Sequence, residues 1–401
     1  MPSPSKTSVP DGYIRGCNIG GWLIVEPWMN QAVMNIPGLS IPDQKTFDQQ
    51  MTASVDLQAH WSTYFTQGDV AGLAAFGMNA LRIPIGFWAF DNTGTPFQSG
   101  AQYWLDQAIG WARQYNMQIL LDVHGSPGSQ NGWDHSGDTS QVAWQSASNM
   151  SSLGKNMQQT IDILLNVTAK YGSLDYADVI MGIEIVNEPI NWGPNNFQIT
   201  KTWAATAYNA MMAVATNPNL QIITHDSFMG QQNWWDLGSA INGNLPAGSP
   251  NFALDLHLYQ NMVPSDSSLN VIQHIQQACA WGNAAPNALL PYYVGEFSAA
   301  TNVCVNPDGT SFGNDGSVSC TVPGCQCTDT VSIDQWSQAL KDTTRMFWEA
   351  QLQSFEHNAA GYFLWSLHGY GAWSLVDLFN YGIVGPTIDD RMYGYQCNYT
   401  V

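Results

Sequence analysis

The run Val179-Ile180-Met181-Gly182-Ile183-Glu184-Ile185-Val186-Asn187-Glu188-Pro189 constrains the fold more than any other stretch. It opens apolar and rich in β-branched residues, as a parallel strand buried on both faces does. It ends in a polar pair and a proline, which stops the strand and begins a loop. Asn187 and Glu188 therefore fall at the carboxyl end of a strand, where α/β barrels carry their catalytic groups. A second run, Pro291-Tyr292-Tyr293-Val294-Gly295-Glu296-Phe297, has the same form, with Glu296 at its end. Retaining glycoside hydrolysis needs two such carboxyl groups, one as acid and base and one as nucleophile. Each glutamate alone suits a salt-bridged barrel residue equally well. Together, and with the residues below, they favour catalysis.

Other segments repeat the strand pattern. Residues 13–19 read as the first strand, followed by Glu26 inside an aromatic run. An acidic residue there needs an arginine or a ligand hydroxyl as partner. Residues 79–84 form the second strand, and Arg82 within it must be paired. An internal ion pair, and a guanidinium that keeps a nucleophilic carboxylate ionised, are compatible roles for it. Residues 117–124, 220–226, 251–260 and 361–366 supply the third, fifth, sixth and eighth strands, ending in or carrying His124, Asp226, His257 and Trp365. Period-two spacing in the sixth puts Asp255, His257 and Tyr259 on one face, lining a site between the two glutamate strands. Helical patterns cover 55–64, 70–76, 104–115, 151–170 and 202–215. Eight strands, mostly separated by helices, predict an α/β fold, a (β/α)8 TIM barrel with loop insertions. Residues 1–12 read as an N-terminal tail and 13–401 as a single catalytic domain. Residues 301–330, rich in glycine, aspartate and cysteine, read as a long loop inserted after the seventh strand.

Charge and composition exclude several functions. A net charge of −20, from 11 basic against 31 acidic residues, argues against nucleic acid or an anionic membrane as partner. No apolar run approaches the ~20 residues of a membrane span. The loop 125–137 is glycine-rich, but no lysine follows it, so it is not a nucleotide loop. It suits a sugar-binding lip. His124 and His135 lack companions at metal-ligand spacing, so neither metal nor cofactor is expected. Most of the 17 Trp and 16 Tyr pack the core, while a carbohydrate enzyme uses a few as flat platforms. Seven cysteines and sequons at Asn149, Asn166 and Asn398 point to a secreted, extracellular or cell-wall protein, although no signal peptide is visible. Cys17 lies in a buried strand and is expected free. The other six allow 15 pairings, and Cys325 and Cys327 are too close to bridge each other comfortably.

Several motifs occur in one order: Arg15-Gly16-Cys17-Asn18-Ile19-Gly20-Gly21-Trp22-Leu23 with Glu26-Pro27-Trp28, Leu81-Arg82-Ile83-Pro84-Ile85-Gly86, Asp122-Val123-His124-Gly125, Asn187-Glu188-Pro189, Val294-Gly295-Glu296, and Ile333-Asp334-Gln335-Trp336-Ser337 leading to Glu349-Ala350-Gln351. The combination resembles the fungal exo-β-1,3-glucanases of glycoside hydrolase family 5. It runs from roughly Arg15 to Cys397. The resemblance implies Glu188 as acid/base, Glu296 as nucleophile, Asn187 on the sugar 2-hydroxyl and Arg82 behind the nucleophile. It also implies a terminal-sugar subsite of Glu26, His124, His257, Tyr259 and Trp365, and a bridge from Cys279 to Cys397. The insertion would then hold Cys304-Cys327 and Cys320-Cys325.

The sequence departs from the family at the rim. Trp133-Asp134-His135 replaces a common Phe-Asp-Asn, Met262 replaces a phenylalanine, and Ser366-Leu367-His368-Gly369-Tyr370 follows Trp365 in place of lysine and glutamate. Trp133 and Met262 are expected to flank the leaving sugar, and His135 is expected to bind substrate. Glu26, Trp365 and the loop around Tyr370 and Trp373 are expected to close a blind pocket. The resemblance thus implies a secreted, monomeric, retaining hydrolase that releases glucose from non-reducing ends of β-1,3-glucan. A β-glucosidase on β-1,6 or aryl glucosides, or a non-catalytic glycan-binding barrel, are the alternatives. The presence of both glutamates disfavours the last.

Overall fold

In the computed structural model, which describes residues 12–246, 248–283, 287–316 and 320–399, eight parallel strands close into a barrel. The expected tail lies outside the described residues apart from Gly12. The barrel strands are β1 (Ile14–Asn18), β2 (Ala80–Gly86), β3 (Gln118–Gly125), β4 (Ile180–Glu184), β5 (Gln221–His225), β6 (Phe252–His257), β7 (Tyr292–Phe297) and β11 (Gly361–Leu364). They pair in the order β1-β11-β7-β6-β5-β4-β3-β2.

Period-two alternation explains both faces of the barrel wall. Leu81, Ile83, Ile119, Leu121, Ile222 and Leu254 belong to the large core that the surrounding helices cover. Ala80, Leu120, Ile223, Ala253, Tyr293 and Phe363 form a separate apolar plug inside the barrel. Two residues further along three of these strands stand Arg82, Asp122 and Asp255, all fully buried. The barrel interior therefore changes from apolar to charged over one pleat repeat, toward the carboxyl ends of the strands.

The element boundaries differ from the sequence expectation at identifiable places. β6 stops at His257 and β11 at Leu364, because the ladder register shifts at Leu256/His257 and between Tyr362 and Leu364. Tyr259 and Trp365 thus leave their strands and enter the loops. The helix expected from residue 151 is Lys155–Tyr171. Asn149 accepts hydrogen bonds from the Ser151 and Ser152 backbones instead, making a local turn that competes with helix. The helix expected from 202 begins at Phe197, where the Asn196 side chain accepts from Gln198 N and Ile199 N.

The inserted segment is not a plain loop. It folds as a small antiparallel sheet of β8 (Val303–Val305), β9 (Ser311–Gly313) and β10 (Gln326–Cys327), in the order β10-β8-β9. Cys304 bridges Cys327 across it, and Cys320 bridges Cys325. Cys279, in the helix Val271–Gly282, bridges Cys397, and Cys17 is a free buried thiol. The 21-residue helix Gln338–Asn358 carries buried Glu349, which accepts from Met392 N and Tyr393 N and so ties down the C-terminal segment. No helix among the described residues is long and apolar enough to cross a membrane.

Candidate active site

The charged layer is organised by Arg82. Its Nε donates to Glu184 (2.8 Å), Nη1 to Asn18 (2.9 Å) and Glu296 (2.8 Å), and Nη2 to Asn187 (2.9 Å). Nη2 also lies 3.1 Å from Asp122 and 3.6 Å from Asp255. One guanidinium thus faces four carboxyl groups, which raises its pKa well above the ordinary value despite burial. Burial, with Asp255 and Asp122 nearby, raises Glu184 well above the carboxylate range against the pull of Arg82. Gly295 makes room for this packing. A Cβ there would stand 2.0 Å from an Asp255 oxygen, and Gly295 N donates to that carboxylate at 2.5 Å. Asp122 and Glu184 carry the same signal in the sequence as Arg82, a charge inside an apolar strand, but nothing local pairs them with it.

Glu188 and Glu296 meet above this layer at one histidine. His257 Nδ1 lies 2.6 Å from Glu188 Oε1 and 3.4 Å from Glu296 Oε2. These two carboxyl oxygens are therefore no more than about 6 Å apart, short of the ~6.5–9.5 Å spacing of inverting enzymes. Tyr259 donates its hydroxyl to Glu296 Oε2 at 2.8 Å. His257 Nε2 lies 3.2 Å from Asp255. Burial opposes a charge on His257, but Glu296, Asp255 and Glu188 around it raise its pKa well above the imidazole value. Burial would raise Glu188; the facing His257 and His135 outweigh it and hold the group well below the usual range. Beneath them His225 stays neutral, driven to about 3 by burial and the neighbouring His257.

Glu188 has φ 46°, a left-handed conformation that costs a non-glycine residue roughly 1–3 kcal/mol. The loop 125–137, expected as a sugar lip, holds it there. Gln130 Nε2 donates to the carbonyls of His124 (2.7 Å) and Asn187 (2.9 Å), and Asn131 Nδ2 to that of Glu188 (3.2 Å). Only the end of this loop, Asp134 and His135, reaches the pocket.

The matching protein family is that of the cellulases, glycosyl hydrolase family 5, over residues 42–320. The chain belongs to glycoside hydrolase family 5. Curated relatives match over nearly its whole length. Glucan 1,3-beta-glucosidase 1 of Schizosaccharomyces pombe is 34% identical, covering 96% of this chain and 90% of the relative. A probable glucan 1,3-beta-glucosidase A of Aspergillus fumigatus is 32% identical, covering 98% and 92%. Among solved structures, a rutinosidase from Aspergillus niger shares the fold with TM-score 0.67 and 21% identity, covering 92% of this chain and 97% of that one.

As in a family 5 barrel, the pocket opens at the carboxyl ends of the strands. Its volume is about 310 Å³, lined by Glu26, Trp28, His124, Asp134, His135, Glu188, Tyr259, Met262, Glu296, Trp365 and Trp373. Trp365 stacks on His124 with centroids 5.6 Å apart. It lies over Gly20, where a Cβ would meet the ring at 2.7 Å. Trp28 donates its indole N–H to Glu26 Oε2 (2.8 Å) and meets Trp373 edge-on, and Trp373 touches Tyr259. Burial, with Asp134 nearby, pushes Glu26 up to about 8. In its protonated form this carboxyl can donate a hydrogen bond as well as accept one.

Two rim expectations change. Tyr370 is 50% exposed and does not line the pocket; Trp28 and Trp373 close that side. Trp133 is also outside the pocket lining. It joins Trp192 and Phe228 in an exposed aromatic face, with centroids 5.7–6.4 Å apart. Trp192 and Phe228 were missed because isolated loop aromatics carry no pattern. Ser227 and Phe228 both have positive φ, fixed by the Asp226 carboxylate accepting from Phe228 N and Gly230 N.

Proposed function

We propose that this family 5 hydrolase is a secreted, retaining exo-β-1,3-glucosidase that frees glucose from non-reducing ends of β-1,3-glucan. The observation that carries this is the meeting of Glu188 and Glu296 on His257 Nδ1 at 2.6 and 3.4 Å. Carboxyl groups that close leave no room for an intervening water, which favours double displacement. Glu296, oriented by Arg82 and Tyr259, attacks the anomeric carbon while Glu188 protonates the leaving oxygen. Water then enters, gives a proton to Glu188, and releases the sugar with its configuration retained. Asn187 accepts from Arg82 at Oδ1, and its Nδ2, 3.5 Å from His124 Nε2 and 3.4 Å from His135 Nδ1, would turn to the sugar 2-hydroxyl.

Exo action follows from the pocket's shape. Glu26, Trp28, Trp365 and Trp373 wall it beyond the catalytic pair, and its volume is at the small end for ligand sites. The curated relatives' names support the β-1,3 linkage. A second activity, on aryl or β-1,6 glucosides, is favoured by the exposed Trp133-Trp192-Phe228 face and the flexible Met262 beside the pocket. Residues 13–401 are read as one catalytic domain acting as a monomer. Secretion is supported by three disulfides and by the exposure of all three sequon asparagines. Time-resolved products from laminarin, pustulan and an aryl β-glucoside test the proposal, with NMR of the first-formed anomer. β-Glucose should appear first; early tri- and tetrasaccharides without glucose would mean an open cleft.

A further inference from the structure

Each oxygen of the Glu188 carboxyl faces an imidazole nitrogen. Oε1 lies 2.6 Å from His257 Nδ1, and Oε2 lies 3.2 Å from His135 Nε2. The two histidines are not equivalent. His257 belongs to the floor, where its nitrogens are already shared with Glu296 and Asp255, and its side chain is 1% exposed. His135 stands in a single 3-10 turn, Asp134–Ser136, in the pocket wall, and its side chain is 17% exposed. It can exchange protons with solvent, whereas His257 is sealed. An acid with both oxygens occupied protonates a leaving group only if one partner yields its place and its proton.

We propose that His135 is a positioning residue for the acid/base, holding Glu188 Oε2 and sharing with it the proton that goes to the leaving group. This rests on the assignment of Glu188 made under Proposed function. Imidazolium with carboxylate and imidazole with carboxylic acid contain the same number of protons, so the pair is an acid in either form. A sugar filling the pocket expels water, which favours the uncharged form with the proton on Oε2. In the first step that proton passes to the glycosidic oxygen as the C1–O bond breaks and Glu296 bonds to C1. Glu188 is left as a carboxylate against His135. In the second step water adds to C1, its proton returns to the pair, and Glu296 departs as a carboxylate.

The charged and titratable groups around His135 come from five other elements. They are Glu188 after β4, Glu26 after β1, His124 on β3 and, across the pocket, His257 and Glu296, with Asp134 in its own turn. Burial disfavours its charge, but Glu188, Glu26 and Asp134 outweigh that and raise His135 to about 9. The pair thus keeps its proton below that pH and loses it above.

The test uses His135→Asn and His135→Gln on aryl β-glucosides of graded leaving-group pKa. Both variants should lose roughly 10- to 100-fold on poor leaving groups and only about 3-fold on 2,4-dinitrophenyl glucoside, which needs little protonation. The alkaline limb of kcat/KM, near pH 9 in the parent enzyme, should fall by at least about one pH unit. The proton would then sit on Glu188 alone, beside His257, whose pKa the surrounding carboxyl groups raise. In folded Glu188→Gln protein, the imidazole 15N titration of His135 should also move to lower pH. Equal loss on every substrate with an unmoved pH profile would make His135 a sugar contact and overturn the proposal, as would an unmoved 15N titration. Failure of the assignment beneath it would look different: Glu188→Ala would then lose the activated substrate too, with no rescue by azide.

Discussion

The floor and the rim of this pocket are built on opposite principles. The floor is a set of charged groups at strand ends, buried and cross-bonded through Arg82 and His257. Charges at that depth are tolerable only when paired, so one wrong side chain strands several others. The rim is a set of aromatic rings on loops, with Trp133, Trp192 and Phe228 each at least 37% exposed and held by ring contacts. Ring contacts are weak singly and tolerate exchange. On the proposed function, the floor would fix the kind of reaction and the rim the preferred leaving group.

The largest effect expected is at the catalytic pair. Glu296→Gln should abolish glycosyl-enzyme formation, as mass spectrometry with a slow fluoro-glucoside would show. Glu188→Ala should cost about 10²- to 10⁴-fold on glucan, spare activated aryl glucosides in the first step, and be partly rescued by azide. Next comes Arg82→Met, which leaves Asp122, Asp255 and Glu296 without their shared cation. We expect about 3–5 kcal/mol of lost stability, read from denaturant unfolding. A near-native midpoint would show that the floor's histidines suffice and would weaken the contrast with the rim.

The rim should answer more gently. Trp133→Ala should raise KM for aryl glucosides by roughly 2- to 10-fold, the worth of one ring contact of about 0.5–1.5 kcal/mol, with kcat nearly unchanged. A loss in kcat equal to that of Glu188→Ala would erase the distinction. The last effect is on stability and not on turnover, and concerns Glu26, whose pKa in the folded chain is raised to about 8. Between the ordinary carboxyl pKa and 8, the folded state holds a proton that the unfolded state has lost. Stability from this group is full below the ordinary value and is lost as pH rises through 8. Glu26→Gln should therefore flatten the fall in melting temperature between roughly pH 5 and 8.

Much of the floor could be read along the chain because its physics is local. A strand must alternate, a barrel strand must end where its loop begins, and a charge inside an apolar run must find a partner. Glu188, Glu296, Arg82, His257 and Tyr259 all announce themselves that way. The rim could not be read so. Tyr370 was expected at the pocket and stands outside it, while Trp28, Trp192 and Phe228 took places that their sequence neighbours do not signal. Loop aromatics have no period, and their positions follow from turns such as the Asp226-held pair Ser227-Phe228.

The sequence by itself determined an eight-stranded barrel, two glutamates at its strand ends and an arginine beneath them, since hydrophobic periodicity and the cost of burying charge act residue by residue. Only the tertiary structure decided the protonation pattern. It took the convergence of β1, β2, β3, β4, β6 and β7 to push Glu26 and Glu184 upward, to hold Glu188 down between two histidines, and to raise His257 beneath both glutamates. A proton's preference is set by every charge within a few ångströms, and residues far apart in sequence become such neighbours only when the barrel closes.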